Sequence, residues 1–442
     1  KSVRDILLCR GVLHRAMQRH EGGWFKVSYD LADAFPSVHL DKLAADYSDV
    51  EGVEGHARRM LWYFSHNGLA KMKTGPDHER WFRVVRGVRQ GDAAGPAVFK
   101  DVFGRAMEDA RNRFVERGFS ELRWEGHDRR GERMSVPMSL AAYADDAESS
   151  ALCGPQWSGA QIAERMADME AAFAEAVGQY GMSVNTDKTQ RLVRPSGKGA
   201  LSKCRALLEQ GKADPHMQSL GMKQDTTAGD QSNVNQRCTM AWVRWKECKG
   251  LLKRIGNKAA RQALFKAVVL GTLLWGMEAL PLRDQQVERL EKVATSLTKQ
   301  LLGRRTEGHY SRKELRESLG VLSVSWELRR RRLRWWRKIC QGAAQESLIL
   351  VFGDPPEGLH KGSPVVDGQC TGHADRYAVL LQEDLRKLWD LQHPWEEDWV
   401  RRPLQEGWQE RLAQTPTAKI DGAMVFGQYQ DDERTTGAAR VG

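Results

Sequence analysis

Three carboxylates are the residues of this 442-residue chain best suited to chemistry. Asp145 and Asp146 stand side by side after the apolar and aromatic run Ala141-Ala142-Tyr143-Ala144, and Asp30 closes an earlier run containing Trp24, Phe25, Val27 and Tyr29. Carboxylate oxygens suit a hard cation such as magnesium, and a metal that handles phosphates generally needs more than one of them. If the fold sets the two strand ends side by side, the three acids converge. Two metal ions held there can activate an attacking hydroxyl and stabilise a leaving pyrophosphate. Taken singly, each acid is an ordinary solvated turn residue, so the chemistry depends on convergence.

The elements that would bring them together can be read from periodicity. Val3, Ile6, Leu7, Val12, Leu13 and Met17 mark an amphipathic helix that Gly22 and Gly23 stop. The strand to Asp30 follows, then a turn over Leu31 to Val38, the start of a helix over Leu40 to Tyr47, and an aromatic-rich helix over Arg59 to Leu69. Lys71 to Arg86 reads as a hairpin about Thr74-Gly75-Pro76-Asp77. Val98, Phe99, Val102, Phe103 and Met107 mark one side of a helix from Pro96, and Leu122 to Arg133 a loop or ragged hairpin. Met138 to Ala144 is the strand that carries the acidic pair. Ile162, Met166, Met169, Phe173 and Val177 define a further amphipathic helix, ending at Gly181. This order predicts an α+β class, with helices on one face of an antiparallel sheet. From about Asn235 helical periods dominate, in segments near 235–255, 258–276, 284–302 and 311–319 and a longer one from Ser325. Lys266 to Leu280 is nearly continuous apolar sequence and reads as one buried helix. Only one convincing helix, Asp375 to Leu391, is expected after the Gly/Pro-rich linker, and the last ten or more residues are expected to be disordered.

Composition sets the outer limits. The formal net charge is +10, from 68 Lys and Arg against 58 Asp and Glu, which favours polyanionic partners. No run of about eighteen apolar residues exists, so no membrane partner is expected. Seven cysteines lie far apart without a CxxC pair. A zinc knuckle and a disulfide framework are both unsupported, and a reducing, intracellular compartment fits better. The N-terminus carries neither Met nor a signal peptide, so a fragment or processed product is expected.

Five ordered motifs carry a resemblance. Phe25-Lys26-Val27-Ser28-Tyr29-Asp30-Leu31-Ala32-Asp33-Ala34-Phe35-Pro36-Ser37-Val38 resembles the first palm motif of reverse transcriptases. Gly87-Val88-Arg89-Gln90-Gly91-Asp92, continued by Gly95-Pro96 and Phe99, resembles the second. Tyr143-Ala144-Asp145-Asp146 is similar to the third, Gly181 with Asn185, Lys188 and Thr189 to the fourth, and Leu220-Gly221 to the motif that holds the primer end. The pattern looks most like the polymerase of non-LTR (LINE-like) retrotransposons and covers residues 1 to about 340. It implies a right-hand polymerase palm with partial fingers and an all-helical thumb. Residues 1–222 would form the partial fingers and palm, 223–345 the thumb-like domain, 346–373 a linker and 374–442 a poorly defined extension.

The resemblance also implies roles. Asp30, Asp145 and Asp146 would bind two magnesium ions, with manganese as a substitute; Asp146, the second acid of its pair, would coordinate less closely. Lys188 would meet the triphosphate or protonate pyrophosphate. Leu31, Arg89, Gln90 and Gly91 would line the nucleotide, and Phe35 would pack on its sugar and clash with a 2′-hydroxyl. Partners would be an RNA template, a DNA primer and deoxynucleoside triphosphates, in the nucleus if the element is active. Arg329, Arg330, Arg331, Arg332, Arg334, Arg337 and Lys338 flank Trp335 and Trp336, a run that could meet a nucleic-acid backbone with charge and its bases by stacking. The plainer alternative for the two tryptophans is inward packing. Pro36 stands where many LINE-like enzymes carry Asp, and Gly95-Pro96 replaces the usual Ser-Pro. Only 29 residues precede Asp30, so most of the fingers would be missing. Two other readings stand beside the polymerase. One is an inactive relict that keeps the palm and binds nucleic acid. The other is an RNA-templated RNA polymerase, which would typically carry Gly where Ala144 stands.

Overall fold

The computed structural model describes residues 2–20, 22–32, 34–39, 55–60, 69–73, 79–83, 87, 95–226, 230–303, 311–356, 359, 373–389 and 407–438. These divide into two units. One comprises residues 21–122 and 137–221; the other joins residues 1–20 and 123–136 to 222–442. The expected α+β class is what forms: a central antiparallel sheet flanked by helices, with further helical segments, consistent with the palm, fingers and thumb of a right-hand polymerase.

The first unit is built on β1 (Gly23–Ala32). The same sheet holds β2 (Leu140–Tyr143), β3 (Asp146–Cys153), β4 (Ser183–Val184) and β5 (Gln190–Arg194). β3 lies along one side of β1, in antiparallel register from Gly23 opposite Cys153 to Asp30 opposite Asp146, and β2 pairs with the outer edge of β3. β5 and β4 share the other side of β1. Alternation along β1 sends Phe25, Val27, Tyr29 and Leu31 to one face, where they join the core.

That core is closed by α1 (Gly95–Glu116) and α2 (Gly159–Gln179). Ile162, Met166, Met169, Phe173 and Val177 recur every three or four residues, so α2 presents one apolar stripe, and Phe173 stacks on Tyr29 with ring centroids 3.9 Å apart. Ser158 caps α2, its hydroxyl accepting from the Gln161 N–H while the Gln161 amide oxygen accepts from the Ser158 N–H. β1 is buried on both faces from Gly23 to Tyr29, and solvent first reaches it at Asp30.

Among its described residues, the regular elements of the second unit are helices apart from the hairpin Arg123–His127 with Arg133–Pro137 and the short strand Met222–Gln224. It contains α3 (Gln231–Arg254) and α4 (Val324–Cys340). The buried helix expected over Lys266 to Leu280 is broken instead. A π-helical turn covers Lys266–Leu270, a short helix Gly271–Leu273, and a single turn Met277–Ala279 follows Gly276, which adopts φ 74°. A Cβ at Gly276 would lie 2.9 Å from Leu7 Cδ1, so close packing and a left-handed conformation together interrupt the helix. The C-terminal region also carries more structure than one helix. His373–Trp389, Trp408–Gln414 and Thr417–Ala438 are all helical, and Trp408, Leu412, Ile420 and Met424 are buried; four apolar anchors spread over polar sequence left this packing below the periodicity signal.

Candidate active site

Two of the three carboxylates face each other across the sheet. Asp30 and Asp146 are register partners, and directly opposite residues in an antiparallel pair project to the same face with Cβ atoms about 4.5–5.5 Å apart. Their placement follows from the hairpin that joins β2 to β3. Tyr143 pairs with Asp146, which leaves Ala144 and Asp145 as a two-residue turn. Ala144 takes φ 53°, the positive value that such a turn requires at its first position. The acidic pair therefore straddles a turn instead of ending a strand: Asp145 is exposed at its tip and Asp146 opens the return strand.

Lys188 reaches the same place. Asn185 donates its N–H to the Asp30 carbonyl at 2.8 Å, and its own carbonyl accepts from the N–H groups of Lys188 and Thr189 and from the Thr189 hydroxyl. This turn carries the Lys188 ammonium to 3.1 Å from Asp30 Oδ2, with the two side chains 65% and 31% exposed. A cation already stands against the Asp30 carboxylate, and the oxygen donors of Asp30, Asp145 and Asp146 are those that a hard divalent ion prefers. The residues fit magnesium in donor chemistry. Among the described residues, however, no group of three or more His, Cys, Asp or Glu side chains is arranged to hold a metal ion.

Glycines of two other motifs brace the segment after β1. Gly87 adopts φ 81° against Pro36, whose carbonyl oxygen would lie 2.5 Å from a Cβ there, and donates its N–H to the Val38 carbonyl. Gly181, at φ 83°, lies as close to the Ser37 carbonyl, while the His39 N–H bonds the Tyr180 carbonyl. Between them sits the single helical turn Ala34–Ser37 with Phe35 half-buried upon it, while Leu31 lies buried in the core just after Asp30. Arg89, Gln90 and Gly91 lie outside the described residues. Leu220 and Gly221, at φ 48° and 67°, form the turn after the strand Met217–Ser219.

Sequence reasoning missed a buried pair behind the carboxylates. Lys26 Nζ donates to Glu148 Oε1 at 2.8 Å, both side chains essentially inaccessible, and Glu148 lies two residues along β3 from Asp146 on the same face. A Lys inside one apolar strand and a Glu inside another were the available signal, since buried charges are almost always paired.

The basic run at Arg329 to Lys338 does not present the expected surface. It forms most of α4, where Trp335 and Trp336 are buried, and the Trp335 indole donates to Asp5 Oδ1. Arg329 pairs with Glu383, Arg330 and Arg331 with Glu327, Arg332 with Asp384, and Arg334 with Asp421, while Arg337 donates to the Thr415 carbonyl. Carboxylates of the same unit thus pair with the arginines expected to meet a backbone, and the two tryptophans expected to stack on bases pack inward. Lys338 alone of the run is exposed. Free positive charge lies on α3 instead. Lys246, Lys249, Lys253 and Arg254 are exposed without a carboxylate partner among the described residues, and the exposed Lys258 opens the next helix.

Among the described residues no helix is long and apolar enough to cross a membrane. Solved structures similar to the chain include telomerase from Candida albicans in complex with a TWJ fragment of telomeric RNA, at 12% identity and a TM-score of 0.33, covering 86% of this chain and 50% of that one. Telomerase from Candida tropicalis with the same kind of fragment is similar at 9% identity and a TM-score of 0.35, covering 92% and 52%. The chain spans about half the length of these telomerase chains. No curated protein sequence matches it. The family profile described as reverse transcriptase (RNA-dependent DNA polymerase) matches residues 1–224, a span that contains Asp30, Asp145, Asp146 and Lys188. With half of its length matched in this way, the chain belongs to the reverse transcriptase family.

Proposed function

We propose that the chain is an RNA-directed DNA polymerase of a non-LTR (LINE-like) retrotransposon, adding deoxynucleotides to the 3′-hydroxyl of a DNA primer paired with an RNA template. The observation that carries this reading is the opposition of Asp30 and Asp146 at the point where burial of β1 ends, with Lys188 beside them. Asp30, Asp145 and Asp146 would hold magnesium or manganese, which supplies charge for the triphosphate and lowers the pKa of the primer hydroxyl. The remaining work falls to the chain's own groups. Lys188 brings a mobile ammonium to the leaving pyrophosphate, where it can neutralise charge or donate a proton. Phe35 excludes a 2′-hydroxyl, and Leu31, Arg89, Gln90 and Gly91 are assigned to the nucleotide and Leu220 and Gly221 to the primer end by their motifs. The exposed cations of α3 offer the second unit a phosphate-binding face.

A second reading is an inactive relict that keeps the fold and binds nucleic acid, favoured by the lack of a three-ligand cluster among the described residues. Magnesium-dependent incorporation of dTTP on poly(rA)/oligo(dT), lost in Asp145→Ala, separates the two. Salt-sensitive binding without incorporation would select the relict.

A further inference from the structure

Phe35 belongs to a stack of three rings. It lies on Phe99 with centroids 4.3 Å apart and planes 21° from parallel, and Phe99 lies on Phe103 at 5.4 Å and 17°. Phe99 and Phe103 are four residues apart on α1, hence on one side of the helix, and both are buried, whereas Phe35 is half-buried. The short turn that carries Phe35 is held from both sides by Gly87 and Gly181. Its backbone is therefore fixed, and the remaining freedom of the ring is rotation of its side chain. A ring that excludes a hydroxyl by contact works only if it cannot swing aside when pressed.

We propose that Phe99 is a positioning residue for sugar selection: stacked on the inner face of Phe35, it keeps that ring from yielding to a 2′-hydroxyl. The proposal rests on the reading of Phe35 as the residue that meets the sugar. It assigns to a buried core phenylalanine a share of the discrimination between deoxynucleotides and ribonucleotides. An aromatic pair contributes enough to shift such a ratio roughly 2- to 10-fold.

The test compares kcat/KM for dTTP and UTP on poly(rA)/oligo(dT), using the full chain and the variants Phe35→Ala, Phe99→Leu and Phe103→Leu, with melting temperatures recorded for each. Phe35→Ala should collapse the dTTP/UTP ratio. Phe99→Leu should lower it roughly 2- to 10-fold. Phe103→Leu takes a ring from the same stack without touching Phe35 and should leave the ratio within about twofold despite a similar loss of stability. An unchanged ratio in Phe99→Leu beside an altered one in Phe35→Ala would overturn the proposal, as would equal losses in the two leucine variants. No change in Phe35→Ala would overturn the sugar reading of Phe35 and this inference with it, while leaving the polymerase reading intact. If turnover is too slow to measure, relative binding of dTTP and UTP to a complex with dideoxy-ended primer and calcium reads the same ratio. There, a Phe99→Leu value equal to the parent's overturns the proposal.

Discussion

The Lys188 ammonium stands 3.1 Å from Asp30 Oδ2, so a side chain from the turn after β4 holds the position in front of the first carboxylate. A divalent ion bound at Asp30, as proposed, would compete with it for that oxygen. The pair is largely open to solvent, and exposed ion pairs contribute at most about 1 kcal/mol. Lys188→Ala should therefore tighten manganese binding about two- to fivefold, measured by electron paramagnetic resonance without nucleic acid. The same change should slow incorporation on the order of 10²-fold, the scale of a lost proton donor. Weaker manganese binding in Lys188→Ala would refute the competition.

Behind the carboxylates, Lys26 and Glu148 form a buried pair in the centre of the sheet. Removing one partner strips compensation from a buried charge, so Glu148→Gln should cost about 3–5 kcal/mol in urea denaturation. Replacing both, as Lys26→Met with Glu148→Leu, should cost clearly less than the sum of the two single changes. A single change that costs under about 1 kcal/mol would show that the pair is solvated in the working protein.

Burial pushes the thiols of Cys153 and Cys340 up to about 12, from an ordinary value near 9. Both should resist iodoacetamide at pH 8 in the native protein and react once it is unfolded. Between about pH 9 and 12 the unfolded chain loses these protons while the folded chain keeps them, so stability falls as pH rises, by about 1.4 kcal/mol per pH unit for each thiol. Below pH 9 neither thiol should contribute a slope. Rapid native labelling of Cys153 would contradict this burial.

Exposed lysines stand along α3, whereas most of the arginines of α4 are paired with carboxylates. Changing Lys246, Lys249, Lys253 and Lys258 together to alanine should reduce the salt dependence of template–primer binding, by about 0.9 in the log–log slope for each phosphate that is no longer neutralised. Arg330→Ala, whose guanidinium is paired with Glu327, should leave the slope unchanged. The opposite ranking in filter binding would restore the α4 run as the surface that meets nucleic acid.

Local pattern made part of this site legible. Asp30 and the Asp145-Asp146 pair stand out because each follows an apolar run, and the stripes of α1 and α2 mark the helices that bury the sheet. What pattern could not supply was register. Which acid opposes Asp30 depends on the register of β1 against β3, set along the whole pair from Gly23 opposite Cys153, and a slip of one residue would reverse the faces. Nor could it supply compensation across distance. Arg329, Arg332 and Arg334 read as exposed charge because Glu383, Asp384 and Asp421 lie 54, 52 and 87 residues away. Lys26 and Glu148 are separated by 122 residues. Tertiary pairing decided whether each charge faces a partner side chain or a phosphate.

Asp30 and Asp146 are proposed to share one metal-dependent site for nucleotidyl transfer. Single-turnover incorporation of dTTP on poly(rA)/oligo(dT) with magnesium, comparing the parent chain with Asp30→Ala and Asp146→Ala at matched folded fraction, tests it most directly. The parent should incorporate dTTP, and both variants should lose about 10²- to 10³-fold, the scale expected when charge stabilisation of the transition state is removed. Incorporation that persists undiminished in either variant would contradict the shared site.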